Sequence, residues 1–263
     1  MKGLVLAGGT GSRLHPLTLV TNKHLLPVYD QPMIHYPLRT LAGMGITDVM
    51  VILGGRSIGD IVELLGDGSA FGLRLTYRYQ ARPMGIAHAI GLARDFVGPD
   101  SVCVVLGDNI LLGPDLTSFA EAFQAGDFGA GSLLYQVPDP ERFGVAVFDA
   151  NGRISGFLEK PLVPPSDLIP IGVYLLAPDA FDVIDKLKPS GRGELEITDV
   201  LTHYARADAL LTEQYAGSWS DAGTIESLLT ASTHVSEFDP TADRIRETAP
   251  EPIREAEPRR IRR

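Results

Sequence analysis

Met1-Lys-Gly-Leu-Val-Leu-Ala-Gly-Gly-Thr-Gly-Ser-Arg-Leu14 opens the chain, an apolar run that delivers a glycine-rich turn almost at once. Leu4, Val5 and Leu6 have the continuous apolar character of a strand buried on both faces. Gly8, Gly9 and Gly11 permit positive φ and close approach of the backbone to a ligand. Unpaired N–H groups in such a turn converge on an anion, and Arg13 adds a planar donor fork, so phosphate is the expected ligand. No lysine follows Gly11, which excludes a Walker loop. Leu14 stands where the dinucleotide fingerprint needs a third glycine. Asp30 has the spacing of a ribose-binding acid, but Val28-Tyr-Asp-Gln-Pro32 reads as a turn before a proline. Alone, the turn reads as a strand-to-helix connection whose glycines relieve strain; only downstream features can raise it to a phosphate cradle.

Outward from this turn the pattern alternates. Residues 33–44 carry apolar side chains at helical spacing, 49–53 form an apolar strand, and 58–65 offer a second short helix. The segment 73–79 alternates apolar and polar residues, as a strand with one wetter face near a sheet edge does. A turn at Pro83 and Gly85 leads into a helix expected to reach about Phe96, on which His88 reads as a packed histidine rather than a base. Residues 101–106 make the most apolar strand and run straight into Gly107-Asp-Asn109. In an open α/β sheet, ligands sit at the carboxyl ends of parallel strands, which makes Asp108 the first metal candidate, with a helix cap or Asx turn as its alternative. From Asp127 the texture turns to strands at 129–136, 144–148, 154–158 and 171–176, with helices returning at 178–187, near 192–200 and from Gly223 through Leu229. Such a block inserted in an alternating pattern implies antiparallel strands that extend a central sheet and wall one side of a pocket. The fold class expected is α/β, a Rossmann-like, mainly parallel central sheet flanked by helices with an inserted antiparallel block.

The 263 residues carry 23 basic and 33 acidic side chains, a formal charge of −10, which argues against a protein that coats nucleic acid. The single cysteine, Cys103, lies in Val102-Cys-Val-Val-Leu106 and reads as a small buried hydrophobe, so no disulfide forms within the chain. No signal peptide or membrane-length apolar stretch is legible, and a cytoplasmic setting is the expectation. Lys23 follows the glycine turn closely enough to fold back on the same anion, and Gln80 has an amide that could read a base edge. Asp221, two residues beyond the only tryptophan, reads alone as a cap or turn acid. From 237 to 263 the chain is charged and proline-bearing, a composition that buries no core, so 1–236 is expected as the folded domain and 237–263 as a mobile tail.

Taken together, nine collinear segments resemble the sugar-1-phosphate nucleotidylyltransferase family, and within it most closely the enzymes that use dTTP and glucose 1-phosphate. They are Leu6-Ala-Gly-Gly-Thr-Gly-Ser-Arg-Leu14, Lys23-His-Leu-Leu-Pro-Val-Tyr-Asp30, Pro32-Met-Ile-His-Tyr-Pro-Leu38, Leu64-Leu-Gly-Asp-Gly68, Leu106-Gly-Asp-Asn109, Asp139-Pro-Glu-Arg-Phe-Gly-Val145, Glu159-Lys-Pro161, Arg192-Gly-Glu-Leu-Glu-Ile-Thr-Asp199 and Trp219-Ser-Asp-Ala-Gly-Thr224. The resemblance implies an enzyme forming dTDP-glucose and pyrophosphate, with Mg²⁺ as cofactor and UTP or another hexose phosphate as rival substrates. It implies that Gly8, Gly9, Thr10 and Gly11 hold the nucleotide, with Arg13 and Lys23 neutralising its phosphates and Gln80 and Gly85 reading the base. Asp108 and Asp221 match the family's metal-binding aspartates. Asn109, Gly144, Glu159 and Tyr174 are implied to border the sugar, and Lys160 and Arg192 to hold its phosphate. Phe143 stands where close relatives often have tyrosine, and Met84 where an acid is common. The charged tail occupies the place of the C-terminal helices that carry a regulatory site in longer members, so weak or absent product feedback is expected. No nucleic acid or membrane partner is expected, and the sequence leaves homo-oligomerisation open.

Overall fold

Strand β1 (Lys2–Ala7) occupies an interior position in a seven-stranded sheet. The computed structural model describes residues 1–238; the charged segment 239–263, most of the expected tail, lies outside the described residues. In chain order, β1 is followed by β2 (Pro27–Val28), β3 (Gln31–Pro32), α1 (His35–Gly43), β4 (Asp48–Leu53), α2 (Ile58–Leu65), β5 (Arg74–Tyr79), α3 (Ile86–Gly91) and α4 (Arg94–Val97). Then come β6 (Val102–Leu106), β7 (Ile110–Leu112), α5 (Thr117–Ala125), β8 (Ala130–Gln136), β9 (Gly144–Phe148), β10 (Ile154–Glu159) and β11 (Leu168–Leu176). The described chain closes with α6 (Ala180–Ile184), α7 (Ile197–Arg206), β12 (Leu210–Gln214), β13 (Ser218–Ser220) and α8 (Ile225–Glu237).

The sheet order is β12-β8-β11-β6-β1-β4-β5. All neighbours pair in parallel except β11, which runs antiparallel to both β6 and β8. Successive side chains of a strand point to opposite faces, and the core divides accordingly. Val5, Val51 and Val105 pack on one face with Leu38, Leu41, Ile61 and Phe119 from α1, α2 and α5. Leu4, Ile52 and Val104 pack on the other with Ile90, Phe181, Val200 and Leu201 from α3, α6 and α7. Each fully buried aliphatic side chain contributes roughly 1.5–3 kcal/mol, which is why apolar runs on both faces specify inner strands. β5 is the edge strand that its alternation predicts.

Several expectations are corrected. The helix expected to run to about Phe96 is interrupted between Gly91 and Arg94, where Ala93 leaves the helical region (φ −96°, ψ 2°). The helix placed near 192–200 starts only at Ile197. The last helix runs on to Glu237 from a reciprocal cap in which Thr224 and Ser227 bond each other's backbone N–H. The inserted block does extend the central sheet, through β8 and β11, as expected; the departure is that β9 and β10 pair with each other as a separate ribbon. That ribbon is held to α7 by the Phe157 N–H, which donates to Thr202 Oγ1 at 2.8 Å.

Candidate active site

The carboxyl ends of β1, β4 and β5 meet with almost no room between them. A Cβ on Gly8 would stand 2.4 Å from Gln80 Oε1, and one on Gly54 would stand 2.8 Å from the Gly8 carbonyl oxygen. Gly11 adopts φ +65°, and the Thr18 hydroxyl donates to its carbonyl at 2.7 Å. Glycine is therefore required here by approach and by backbone conformation alike. Asn22 joins this turn to the end of β4, its Nδ2 donating to the Gly54 and Arg56 carbonyls at 3.1 and 3.0 Å. Its Oδ1 accepts from the His24 N–H at 3.1 Å, which starts the short 3₁₀ turn Lys23–Leu25. Thr10 stands exposed at the tip of the glycine turn.

Lys23 is thereby brought under the turn, its Nζ 3.5 Å from where a Gly9 Cβ would be. The same ammonium donates to Asp108 Oδ2 at 2.5 Å, across 85 residues of sequence. Asn109 Nδ2 donates to Asp108 Oδ1 at 3.0 Å. Burial would raise the Asp108 carboxyl, but the Lys23 charge and these hydrogen bonds outweigh it and hold the group below the ordinary carboxylate range. Asp108 is thus an ionised carboxylate at the end of β6. Behind it, burial and then the Lys23 charge push the His24 imidazole down to about 3, so His24 is neutral.

A cleft of about 160 Å³ opens beside Asp108 and brings together Arg13, Asn109, Gly144, Glu159, Lys160, Tyr174 and Asp221, all named from the sequence. Asn109 is its hub: Oδ1 accepts from Trp219 Nε1 at 2.7 Å and from the Gly172 N–H at 3.0 Å. Gly144 must lack a side chain, since its Cβ would lie 2.4 Å from Thr198 Cγ2. Glu159 accepts from Thr198 Oγ1 at 3.3 Å and from Arg192 Nη1 at 2.9 Å. Burial, reinforced by Glu196, raises the Glu159 carboxyl against the pull of Lys160 and Arg192. Lys160 enters the cleft from the end of β10 in the left-handed region (φ +44°), unusual for a residue before proline.

Eight sequence-derived residues lie outside the lining of this cleft: Gly8, Gly9, Thr10, Gly11, Lys23 and Gln80 lie in or beside the glycine turn, and Gly85 and Arg192 are engaged elsewhere. The Arg192 guanidinium is occupied by Glu159, Glu194 and Glu196 at 2.9, 3.1 and 3.4 Å. Gly85 (φ +100°) packs on the Leu195 backbone, its Cβ position 2.4 Å from the Leu195 oxygen. Among the cleft residues given no role by sequence reasoning are Arg142, Trp219 and Thr198. Arg142 pairs with Asp139 at 2.6 Å and reaches Asp221 at 3.5 Å. Trp219 meets Tyr135 at a tilt and Phe143 edge-on, and Thr198 donates to the Glu159 carboxyl. Trp219 carried a usable signal as the only tryptophan beside a candidate acid, whereas Arg142 was one charge in a turn.

The donor set fits a magnesium ion. Asp108 and Asp221 face one cleft, and no group of three or more His, Cys, Asp or Glu side chains among the described residues could hold a metal by itself. Mg²⁺ commonly binds through one or two carboxylates plus substrate phosphates, which matches Asp108 and Asp221 in the lining of a cleft whose acids are balanced by Arg13, Arg142 and Lys160.

A family model described as nucleotidyl transferase matches residues 2–237. A glucose-1-phosphate thymidylyltransferase of Neisseria meningitidis is 45% identical over 238 residues, 89% of this chain and 82% of that one. The chain belongs to the nucleotidyl transferase family. A Haloferax volcanii nucleotidyltransferase of low-salt glycan biosynthesis, Agl11, is also 45% identical, over 90% of this chain, which spans 66% of Agl11's length. Among solved structures, a Bacillus anthracis protein assigned as a glucose-1-phosphate thymidylyltransferase, crystallised with sucrose, superposes with a TM-score of 0.85 at 47% identity, covering 91% of this chain and 96% of that one. The fold shared by this nucleotidyltransferase and that structure includes the mixed sheet and its small antiparallel ribbons. No helix among the described residues is long and apolar enough to cross a membrane.

Proposed function

We propose that this nucleotidyltransferase converts dTTP and α-D-glucose 1-phosphate to dTDP-glucose and pyrophosphate, with residues 1–236 as the catalytic unit working in the cytoplasm. The observation that carries the reading is the shared cleft, where Arg13 of the glycine-turn side, Lys160 of the β9–β10 ribbon and two separated aspartates converge. Two polyanions must meet before any bond forms, so the first requirement is cationic screening. Arg13 and Lys23 supply it on the triphosphate side and Lys160 on the sugar-phosphate side. Arg192 serves that side through Glu159, whose carboxylate it holds against the sugar position. Arg142 bears on the reaction by holding Asp221 toward the cleft.

A phosphate oxygen of the sugar phosphate forms the new bond to the α-phosphorus, and the bond from that phosphorus to the bridging oxygen breaks in line, releasing pyrophosphate. The attacking oxygen is already ionised near neutral pH, so no general base is needed. The neutral, buried His24 fits that economy. Asp108 and Asp221 would hold Mg²⁺, which supplies charge neutralisation at the α-phosphate and the departing pyrophosphate. Asn109, Gly144, Glu159 and Tyr174 border the hexose, and the glycine turn with Thr10 borders the nucleotide.

The names carried by relatives support the dTTP and glucose 1-phosphate pair. The experiment is pyrophosphate release across dTTP, UTP, CTP, GTP and ATP with glucose 1-phosphate and Mg²⁺. Preference for dTTP is expected; UTP preference replaces the nucleotide assignment, and no turnover with any nucleotide overturns the glucose 1-phosphate assignment and favours a nucleotide-sugar sensor or another hexose phosphate. Asp108→Asn and Asp221→Asn should each lower turnover by about two orders of magnitude or more with the fold intact, as loss of a metal-bound charge does. A well-folded, nearly active variant removes that residue from the site.

A further inference from the structure

We propose that His88 is a positioning residue for base selection: it holds the Gln80 amide with its carbonyl oxygen turned toward the glycine turn. The site then accepts an imide base, thymine or uracil, and rejects cytosine. The inference rests on the reading of Gln80 as the base-contacting residue.

Gln80 follows β5 directly, its N–H donating to the Leu53 carbonyl at 2.7 Å, and the residue is only 6% exposed. Its Nε2 lies 3.0 Å from His88 Nδ1. An amide nitrogen carries hydrogens and no lone pair to offer, so this contact is a hydrogen bond only when Nδ1 is the acceptor and the imidazole is the Nε2–H tautomer. With Nε2 so engaged, Oε1 takes the opposite direction, beside Gly8 at the carboxyl end of β1. Among the described residues no group donates to that oxygen.

The helix that carries His88 is itself fixed. The Ala87 N–H donates to the Leu195 carbonyl at 3.1 Å, and the Leu195 N–H donates to the Met84 carbonyl at 2.8 Å. The ring therefore stands on a helix clamped to the chain leading into α7, and the amide between ring and glycine turn has its orientation set from one side. Thymine and uracil present an N3–H donor where cytosine presents an N3 acceptor. An Oε1 directed at the glycine turn, where the nucleotide is proposed to lie, is complementary to the first and repels the second.

The test is kcat/KM for UTP and CTP, and for dTTP and dCTP, in the full chain carrying Gln80→Ala, His88→Leu or His88→Asn. One mispaired hydrogen bond at a dry site sets the scale at roughly 10- to 100-fold. His88→Leu should lower the imide-to-cytosine ratio by about tenfold or more, through loss with UTP and dTTP. His88→Asn, which restores an acceptor, should recover much of the ratio. If Gln80→Ala leaves the ratio unchanged, the base-contact reading falls and the proposal with it. If Gln80→Ala lowers the ratio but His88→Leu does not, or His88→Leu slows all four nucleotides equally, the positioning role is overturned while the base contact stands. Nitrogen-15 NMR of the wild-type ring gives a readout that needs no variant: an unprotonated Nδ1 is expected, and a protonated Nδ1 overturns the proposal.

Discussion

Replacing Lys23 by methionine removes the ammonium 2.5 Å from Asp108 Oδ2 while keeping most of the side chain's volume. The two side chains are only 13% and 15% exposed, so the remaining carboxylate would be left largely dry with Asn109 as its main support. Breaking a fully buried ion pair by removing one partner costs about 3–5 kcal/mol, and an exposed pair is worth about 0–1 kcal/mol. A pair at the wall of an open cleft falls between, at about 2–3 kcal/mol, or a fall in Tm of roughly 4–12 °C for a chain of this size. The pH dependence carries the diagnosis. Asp108 has a folded-state value below its ordinary one, so its contribution is present above the ordinary carboxylate range and is lost as pH falls through the depressed value. The wild-type advantage over Lys23→Met should thus be complete at pH 7 and shrink toward zero in strong acid, where Asp108 is protonated in both proteins. Urea unfolding in metal-free buffer across that range measures it, and Asp108→Asn placed on Lys23→Met should recover much of the loss. A penalty that does not change with pH, or one below about 0.5 kcal/mol, would refute the argument that Lys23 acts by compensating a buried charge.

Two further outcomes follow from packing. Gly85→Ala combines φ +100° with a Cβ 2.4 Å from the Leu195 oxygen, and backbone cannot yield as a flexible side chain can. A loss of about 2–4 kcal/mol in urea unfolding is expected; a change under about 0.5 kcal/mol would mean that the Gly85–Leu195 clamp is loose. The Cys103 thiol, pushed up to about 12 by burial, should resist a thiol reagent at pH 8 and react only as urea opens the protein. Labelling within seconds in native buffer would contradict that burial.

The inner strands were legible because they are buried on both faces: Leu4-Val-Leu6, Val49-Met-Val-Ile-Leu53 and Val102-Cys-Val-Val-Leu106 need no partner to be recognised. Strand β12 was not, because Leu210-Leu-Thr-Glu-Gln214 is a partly exposed edge strand whose identity depends on pairing with β8. β7 and β13 are three residues each and exist only through each other. The break between α3 and α4 also escaped, since an unbroken helical pattern does not report a local change of ψ. Within the site, the residue types for anion and cation binding were readable one by one. Their meeting was not: Lys23 finds Asp108 across 85 residues and Arg142 finds Asp221 across 79. Arg192 shows the same gap from the other side, because a sequence does not say how many carboxylates surround a guanidinium.

The reversed strand β11 has a further consequence. Lying against the grain of the sheet, it brings its early residues, not its last ones, to the rim where its neighbours end, so Pro170, Gly172 and Tyr174 line the cleft. Its pairing with β8 lapses between Pro170 and Tyr174, and in that gap the Gly172 N–H turns to Asn109. Any side chain at 172 would overlap the Asn109 amide, whose three outer atoms lie 2.6–2.7 Å from the Cβ position. This part of the wall is main chain, and substitution can break it but not retune it. Variation in the cleft's shape has to be written elsewhere, in side chains such as Phe143, Thr198 and Trp219, which line it but do not belong to β11.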